Sequence, residues 1–306
     1  MGLPPFAVSA TLARMIDKLR ARKLHAQGQA LSKNGDDDGA LAKYNEALAL
    51  HPDKPETHYN IGLIYKYRGQ WRESFASNQR AVELAPDDEA ANWNLAIAAT
   101  ALREWLVARR VWTSLGMKLA PGDGPIEDNF GSAPVRLNPH GGAEVVWAQR
   151  VCPVRARIQS IPWPESRFHY GDVVLHDGAP VGYRLDSDGR EKAVFNVLEL
   201  FERSRFSTFV ANVIAPAAAD IEALIACCDE AQIRCEDWGT VRILCRACSE
   251  GRPHEAHDND AQPEGWVAQR RVGIGAVDPA RVRSALDRWA SDARRVEGVT
   301  PSLRPQ

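Results

Sequence analysis

Four side chains with metal-binding chemistry fall close together in the second half of the chain, Cys245-x-x-Cys248 and, on the loop that follows, His254-x-x-His257. Two thiolates spaced in this way can pinch one ion in a tight knuckle, with Gly251 freeing the chain after it. Two imidazoles complete four soft or borderline donors, a set that suits tetrahedral Zn²⁺. The histidines are two residues apart rather than the usual three to five, and Cys235, Asp258 or Asp260 can replace one of them. Four protein ligands leave no open position, so the ion expected here is structural. With water in place of one ligand, Glu250 or Glu255 becomes a general base and the loop an enzyme's metal centre. The plainer reading is two reduced thiols at a strand end and two solvated histidines.

Other chemistry fails sooner. His254-Glu255-Ala256-His257 is one residue short of the helical zinc-protease motif, and Pro253 opposes a helix there. Gly273-Ile274-Gly275 lacks the third glycine and the context of a dinucleotide site, and neither a phosphate loop nor a nucleophile elbow occurs. Cys227-Cys228 falls in a helical pattern, where adjacent side chains point apart, and reads as core thiol. Arg203, Arg205, Arg270 and Arg271 lie near strands and read as solvated strand faces before they read as an anion patch.

The 306 residues amount to about two domains. With 44% hydrophobic and 25% charged residues the chain is of globular composition, and a net charge of −2 gives no field for a nucleic-acid backbone. No run of apolar residues is long enough to span a bilayer. The segment Met1 to Pro5 has no cationic flank, and Phe6 stands where an acylation motif needs Ser or Thr, so neither a secretory leader nor a lipid is expected. Six cysteines, none before Cys152, do not resemble a secreted disulfide framework. The expectation is a cytoplasmic protein with reduced thiols.

The strongest pattern is a period of 34 residues: Ala21–Lys54, Pro55–Asp88 and Glu89 onward align without a gap. Gly28, Gly62 and Ala96 share one small-residue position, and Leu31, Tyr65 and Ala99 follow three residues later. Gly35 and Gly69 mark a turn where the third segment has Arg103. Ala40, Ser74 and Ala108 come next, then Tyr44, Asn78 and Trp112, then Ala47, Ala81 and Leu115. Pro52 and Pro86 end the first two periods, and Pro121 lies one residue past the register of the third. Paired antiparallel helices need small residues where their backbones cross, large ones where they diverge, a glycine to reverse and a proline to stop. Before them, Leu12, Met15, Ile16 and Leu19 behind Ser9 or Thr11 predict an amphipathic helix capping the array's open end.

The chain in this region resembles the tetratricopeptide repeat family, with about three repeats over residues 21–121. The resemblance implies a helical solenoid whose concave side, lined by the first helix of each pair, binds a peptide or protein. Positions of the unit that face this groove in the family carry Tyr59 and Asn60 in the second repeat and Trp93 and Asn94 in the third. Lys66 and Tyr67 stand further along, and the first repeat offers Arg22, His25, Gln29 and Lys33. An asparagine amide both donates and accepts, so the Asn60–Asn94 pair suits the main chain of an extended peptide. The family variant that clamps a C-terminal carboxylate matches only at Asn60 and is disfavoured. A polar, solvated helix face is the alternative for the pair.

After a Gly- and Pro-rich linker over 122–143, the period changes from 3.6 to 2. Val145–Trp147, Val154–Ile158, Asp172–Leu175, Val181–Leu185 and Ala193–Leu198 predict strands of a small barrel or curled sheet over 144–205, with hairpin turns at Asp177-Gly178 and Asp188-Gly189. From Phe206 the order is strand, helix, strand, strand, loop, strand, helix, with Asp220 and Asp278 as helix caps, which predicts an α+β sandwich over 206–296. Strands are placed at Phe206–Ile214, Ile233–Cys235, Thr240–Leu244 and Trp266–Ile274, and residues 297–306 read as a disordered tail.

The fold class expected is thus a helical repeat solenoid, preceded by a helix over 1–20 and followed by a β-rich segment and an α+β sandwich. The function expected is a non-enzymatic scaffold or adaptor that binds a peptide or partner domain, with neither nucleic acid nor membrane as partner. The alternative is a zinc-dependent enzyme recruited to its substrate by the repeats.

Overall fold

Each 34-residue period folds as the helix pair its small and large positions require. The computed structural model describes the backbone of residues 5–239 and 265–305, with side chains from Leu12 onward. These fall into two units, 1–126 and 127–306. The first holds α1 (Pro5–Lys33), α2 (Asp37–Leu50), α3 (Pro55–Tyr67), α4 (Trp71–Leu84), α5 (Glu89–Ala101) and α6 (Trp105–Ser114). A Cβ on Gly28 would lie 2.5 Å from the Tyr44 ring, and one on Gly62 2.4 Å from the Asn78 amide, so the small residue of each pair is a steric necessity. In the third pair Ala96 leaves room for Trp112, which is fully buried. Gly35 and Gly69 turn the chain with positive φ, and Arg103 does the same at +62° without a glycine. The carboxylates of Asp36 and Asp88 cap α2 and α5 by accepting from Gly39 N and Ala91 N.

The helix expected as a separate cap over 1–20 is instead the first part of α1. Between Phe6 and Gln27 no Gly or Pro interrupts helical hydrogen bonding, so one helix of 29 residues forms. Its Leu12, Met15, Ile16 and Leu19 are 43–58% exposed.

The second unit opens with β1 (Ser132–Leu137), β2 (Glu144–Arg150), β3 (Arg155–Ile158), β4 (Val173–Leu185) and β5 (Glu191–Glu202), which close into a five-stranded barrel. Neighbours pair antiparallel, and a short parallel contact, Val135 opposite Phe195, closes the circle. Val135, Leu137, Val146, Ala148, Ala156, Ile158, Val174 and Val197 fill the interior. Two expectations are corrected here. The linker assigned to 122–143 contains β1, whose alternating Ala133, Val135 and Leu137 outweigh the Pro134 between them. Asp177-Gly178 does not turn the chain: β4 runs straight through it, with register shifts between His176 and Gly182 that absorb the irregularity. The Asp188-Gly189 turn forms, with the Asp186 carboxylate accepting from Asp188 N and Arg190 N.

The remainder is β6 (Ser207–Ile214), α7 (Ala218–Glu230), β7 (Arg234–Asp237), β8 (Gln269–Ala276), α8 (Pro279–Trp289) and β9 (Arg295–Leu303). The strand order β7-β8-β6-β9, all antiparallel, is that of a ferredoxin-like split βαβ sandwich. Phe209, Ala211 and Val213 of β6 face the two helices, packing with Ile221, Leu224, Leu286 and Trp289. The tail read as disordered supplies β9, because Val296 and Val299 pack against this core and β6 has a free edge to pair. Asp278 caps α8, whereas Asp220 lies inside α7 and its carboxylate reaches back to accept from Ala217 N. The predicted strand Thr240–Leu244 lies outside the described residues.

Candidate functional site

The first helix of every pair carries a ring at the same repeat position: His25 on α1, Tyr59 on α3 and Trp93 on α5. Two of these rings lean on the large residue of their own pair, His25 on Tyr44 at 5.5 Å and Trp93 edge-on to Trp112 at 4.8 Å. His25 is buried, and its Nδ1 lies 2.9 Å from Thr57 Oγ1 on α3. Burial, followed by the nearby Lys54 charge, lowers its pKa below the usual histidine value, so it is a neutral packing residue at pH 7. Arg22, Gln29, Lys33 and Tyr67 are exposed, Tyr59, Asn60 and Trp93 half-buried, and Lys66 and Asn94 buried. The Lys66 ammonium lies 4.4 Å from the centre of the Tyr67 ring. Thr57 and Tyr44, which fix His25, carry no motif of their own; only the repeat spacing marks Tyr44.

Asparagines of this unit divide into two kinds. The Asn78 amide donates to Ser74 O and Oγ, and that of Asn92 to Pro86 O and Asp88 O. The amides of Asn60 and Asn94 make no hydrogen bond among the described residues. Two amides, one repeat apart on the first helices, thus keep their donors and acceptors for something else.

In the second unit three of the four arginines read as solvated strand faces are engaged one by one, and they do not gather into an anion patch. Arg203 Nη1 bonds the buried Asp172 carboxylate at 2.6 Å, Arg270 pairs with Asp237 at 2.7 Å, and Arg271 lies over the stacked rings of Trp163 and Trp238. Gly273 and Gly275 are small for packing reasons, since a Cβ there would strike Trp238 and crowd Tyr170. Cys245, Cys248, His254 and His257, with Asp258 and Asp260, lie outside the described residues. Among the described residues no group of three or more Cys, His, Asp or Glu can hold a metal ion. The thiol of Cys235, the substitute ligand, lies beside Cys228, and this contact with burial pushes its pKa well up.

Two carboxylates clasp the loop between β3 and β4, one from the barrel and one from the sheet: Glu144 accepts from Trp163 N at 3.1 Å and Glu236 from Ile161 N at 2.6 Å. Contacts between residues so distant in sequence left no local signal. Burial above all, then the charges of Glu236 and Glu165, pushes the Glu144 pKa up to about 7. A carboxyl group with a raised folded-state pKa contributes stability below its unfolded value near 4.5, and that stability is lost as pH rises through about 7. The second unit is therefore expected to lose up to ~3 kcal/mol across this window. Glu144→Gln, which keeps an oxygen for Trp163 N, flattens the slope in urea titrations from pH 4 to 8; an unaltered slope contradicts the assignment.

Comparison with known proteins bears on the first unit. Residues 28–67 match the family model described as TPR repeat. The photosystem I assembly protein Ycf3 of Acaryochloris marina (strain MBIC 11017) is 30% identical over 86 residues, 23% of this chain and 52% of that protein. The Ycf3 of Rippkaea orientalis (strain PCC 8801 / RF-1) is 33% identical over 90 residues, 24% of this chain and 52% of its own length. The chain spans about half the length of these curated relatives. The second TPR of Spaghetti (RPAP3), solved with the HSP90 peptide SRMEEVD, is 16% identical with a TM-score of 0.34, covering 36% of this chain and 94% of that one. No described helix is long and apolar enough to cross a membrane. The helix pairs of the first unit are tetratricopeptide repeats.

Proposed function

We propose that the repeat array captures an extended segment of another protein along α1, α3 and α5, and that the chain acts as a scaffold or adaptor. The observation that carries this reading is the pair of amides, Asn60 and Asn94, with no hydrogen bond among the described residues. An amide that donates and accepts at once pairs with a peptide group whatever the side chain, which gives affinity without sequence selectivity. The Tyr59 and Trp93 rings add aromatic contact, and exposed Arg22, Gln29 and Lys33 add polar contact from the first repeat. The Ycf3 relatives are named as assembly proteins, in keeping with a role in handling other proteins. A structural Zn²⁺ on Cys245, Cys248, His254 and His257 fits this reading as a staple of the second unit.

Site-specific photo-crosslinking tests the location. A benzophenone amino acid at Tyr59 is expected to yield partner adducts in lysate, whereas the same group at exposed Arg72 on α4 is not. Equal adducts from both positions, or none from Tyr59, would refute a partner seated on the first helices.

A further inference from the structure

Between the barrel and the four-stranded sheet lies a cavity of about 230 Å³. It is walled by Trp147 of β2, by Gln159, Ser160 and Ile161 after β3, and by Arg234 and Glu236 of β7. Alternation along β2 sends Val146 and Ala148 into the barrel and leaves the Trp147 indole on the outer face. Its backbone is pinned: Trp147 N donates to Ser160 Oγ at 3.2 Å, and Trp147 O accepts from Gln159 N at 2.8 Å. The wall is preformed, and several of its polar atoms keep hydrogen-bonding capacity. The indole N–H of Trp147 and the side-chain amide of Gln159 make no hydrogen bond among the described residues. Ser160 Oγ accepts from Trp147 N and keeps its own proton to donate. Glu236 engages Ile161 N through one oxygen, Oε2.

Charge and size select the ligand. The wall contains one carboxylate, Glu236, and one guanidinium, Arg234, which also bonds Asp229 at 3.1 Å. An ammonium ligand would meet Arg234 and an anion would meet Glu236, so a neutral molecule suits both. Indole N–H, amide, hydroxyl and carboxylate together call for groups that donate and accept alike, as hydroxyls do. The indole face offers a flat apolar surface for the carbon framework. A volume below the roughly 300–1,000 Å³ of drug-sized pockets limits the guest to a single ring. We propose that this cavity is a binding site for a neutral polyhydroxylated ring of monosaccharide size.

Saturation-transfer NMR on the full chain tests this with D-glucose, D-galactose, N-acetyl-D-glucosamine and myo-inositol at tens of millimolar, beside n-butylammonium and acetate. At least one polyol is expected to receive saturation on its ring protons, more strongly than either charged probe. Trp147→Ala is expected to abolish the signal. Gln159→Ala, an exposed side chain without a bond to lose, is expected to weaken binding about threefold to tenfold with unchanged melting. Should Trp147→Ala fail to fold, the Gln159 variant decides alone. Saturation of no polyol, a stronger response from a charged probe, or undiminished binding by Gln159→Ala would overturn the assignment.

Discussion

Asp172→Ala is expected to remove about 3–5 kcal/mol of stability from the second unit. The carboxylate is fully buried and accepts three hydrogen bonds, from His169 N at 2.9 Å, Ser204 N at 2.7 Å and Arg203 Nη1 at 2.6 Å. It thereby fastens the loop before β4 to the connection between β5 and β6, where barrel gives way to sandwich. Alanine leaves two backbone donors without an acceptor and takes the counter-charge from a half-buried guanidinium, which keeps only Arg167 O at 3.0 Å; each unsatisfied donor carries its desolvation cost. Asp172→Asn retains one oxygen but turns an N–H₂ toward the same donors, and is expected to fall between alanine and wild type. Urea unfolding followed by signals of the second unit measures both. A midpoint for Asp172→Ala equivalent to less than about 1 kcal/mol of loss would show that the knot is redundant.

Trp112→Ala is expected to cost the first unit a similar amount, about 3–5 kcal/mol. The indole is fully buried, fills the space that Ala96 leaves, and meets Trp93 edge-on at 4.8 Å. Its Nε1 donates to Thr100 Oγ1 at 3.2 Å, while that hydroxyl donates to Ala96 O at 2.7 Å. Removing the ring opens a cavity and takes away the surface that steadies Trp93, so partner capture is expected to weaken along with the fold. Trp112→Phe keeps most of the volume and loses one hydrogen bond, and is expected to cost about 1–2 kcal/mol. Thermal unfolding by circular dichroism checks the pair; near-equal melting of Trp112→Ala and wild type would contradict this packing.

What the residues disclosed in advance was whatever repeats or alternates locally. Gly28 with Tyr44 and Gly62 with Asn78 recur at fixed spacing because each pair must interlock within one helical hairpin, so the array was legible. In the sandwich the apolar faces of β6 and α7 were legible for the same reason. Strand β1 was hidden because its alternation is short and surrounded by Gly131, Pro134 and Pro139, and β9 because few apolar residues mark an edge strand. The clasp of Glu236 on Ile161 joins residues 75 apart, and no spacing rule reaches so far. Within the groove, position in the repeat nominated His25 and Asn94 alike. Only packing separates them, since His25 bonds Thr57 while the Asn94 amide bonds nothing described.

Quantitative partner capture by the full chain carrying Asn60→Ala together with Asn94→Ala reads the two amides most directly. Losing two neutral hydrogen-bonded amides is expected to weaken capture about tenfold to thirtyfold. Melting should hardly change, because neither amide bonds another described residue. Wild-type capture by the double variant, with its fold intact, would contradict the proposal that these side chains grip another polypeptide.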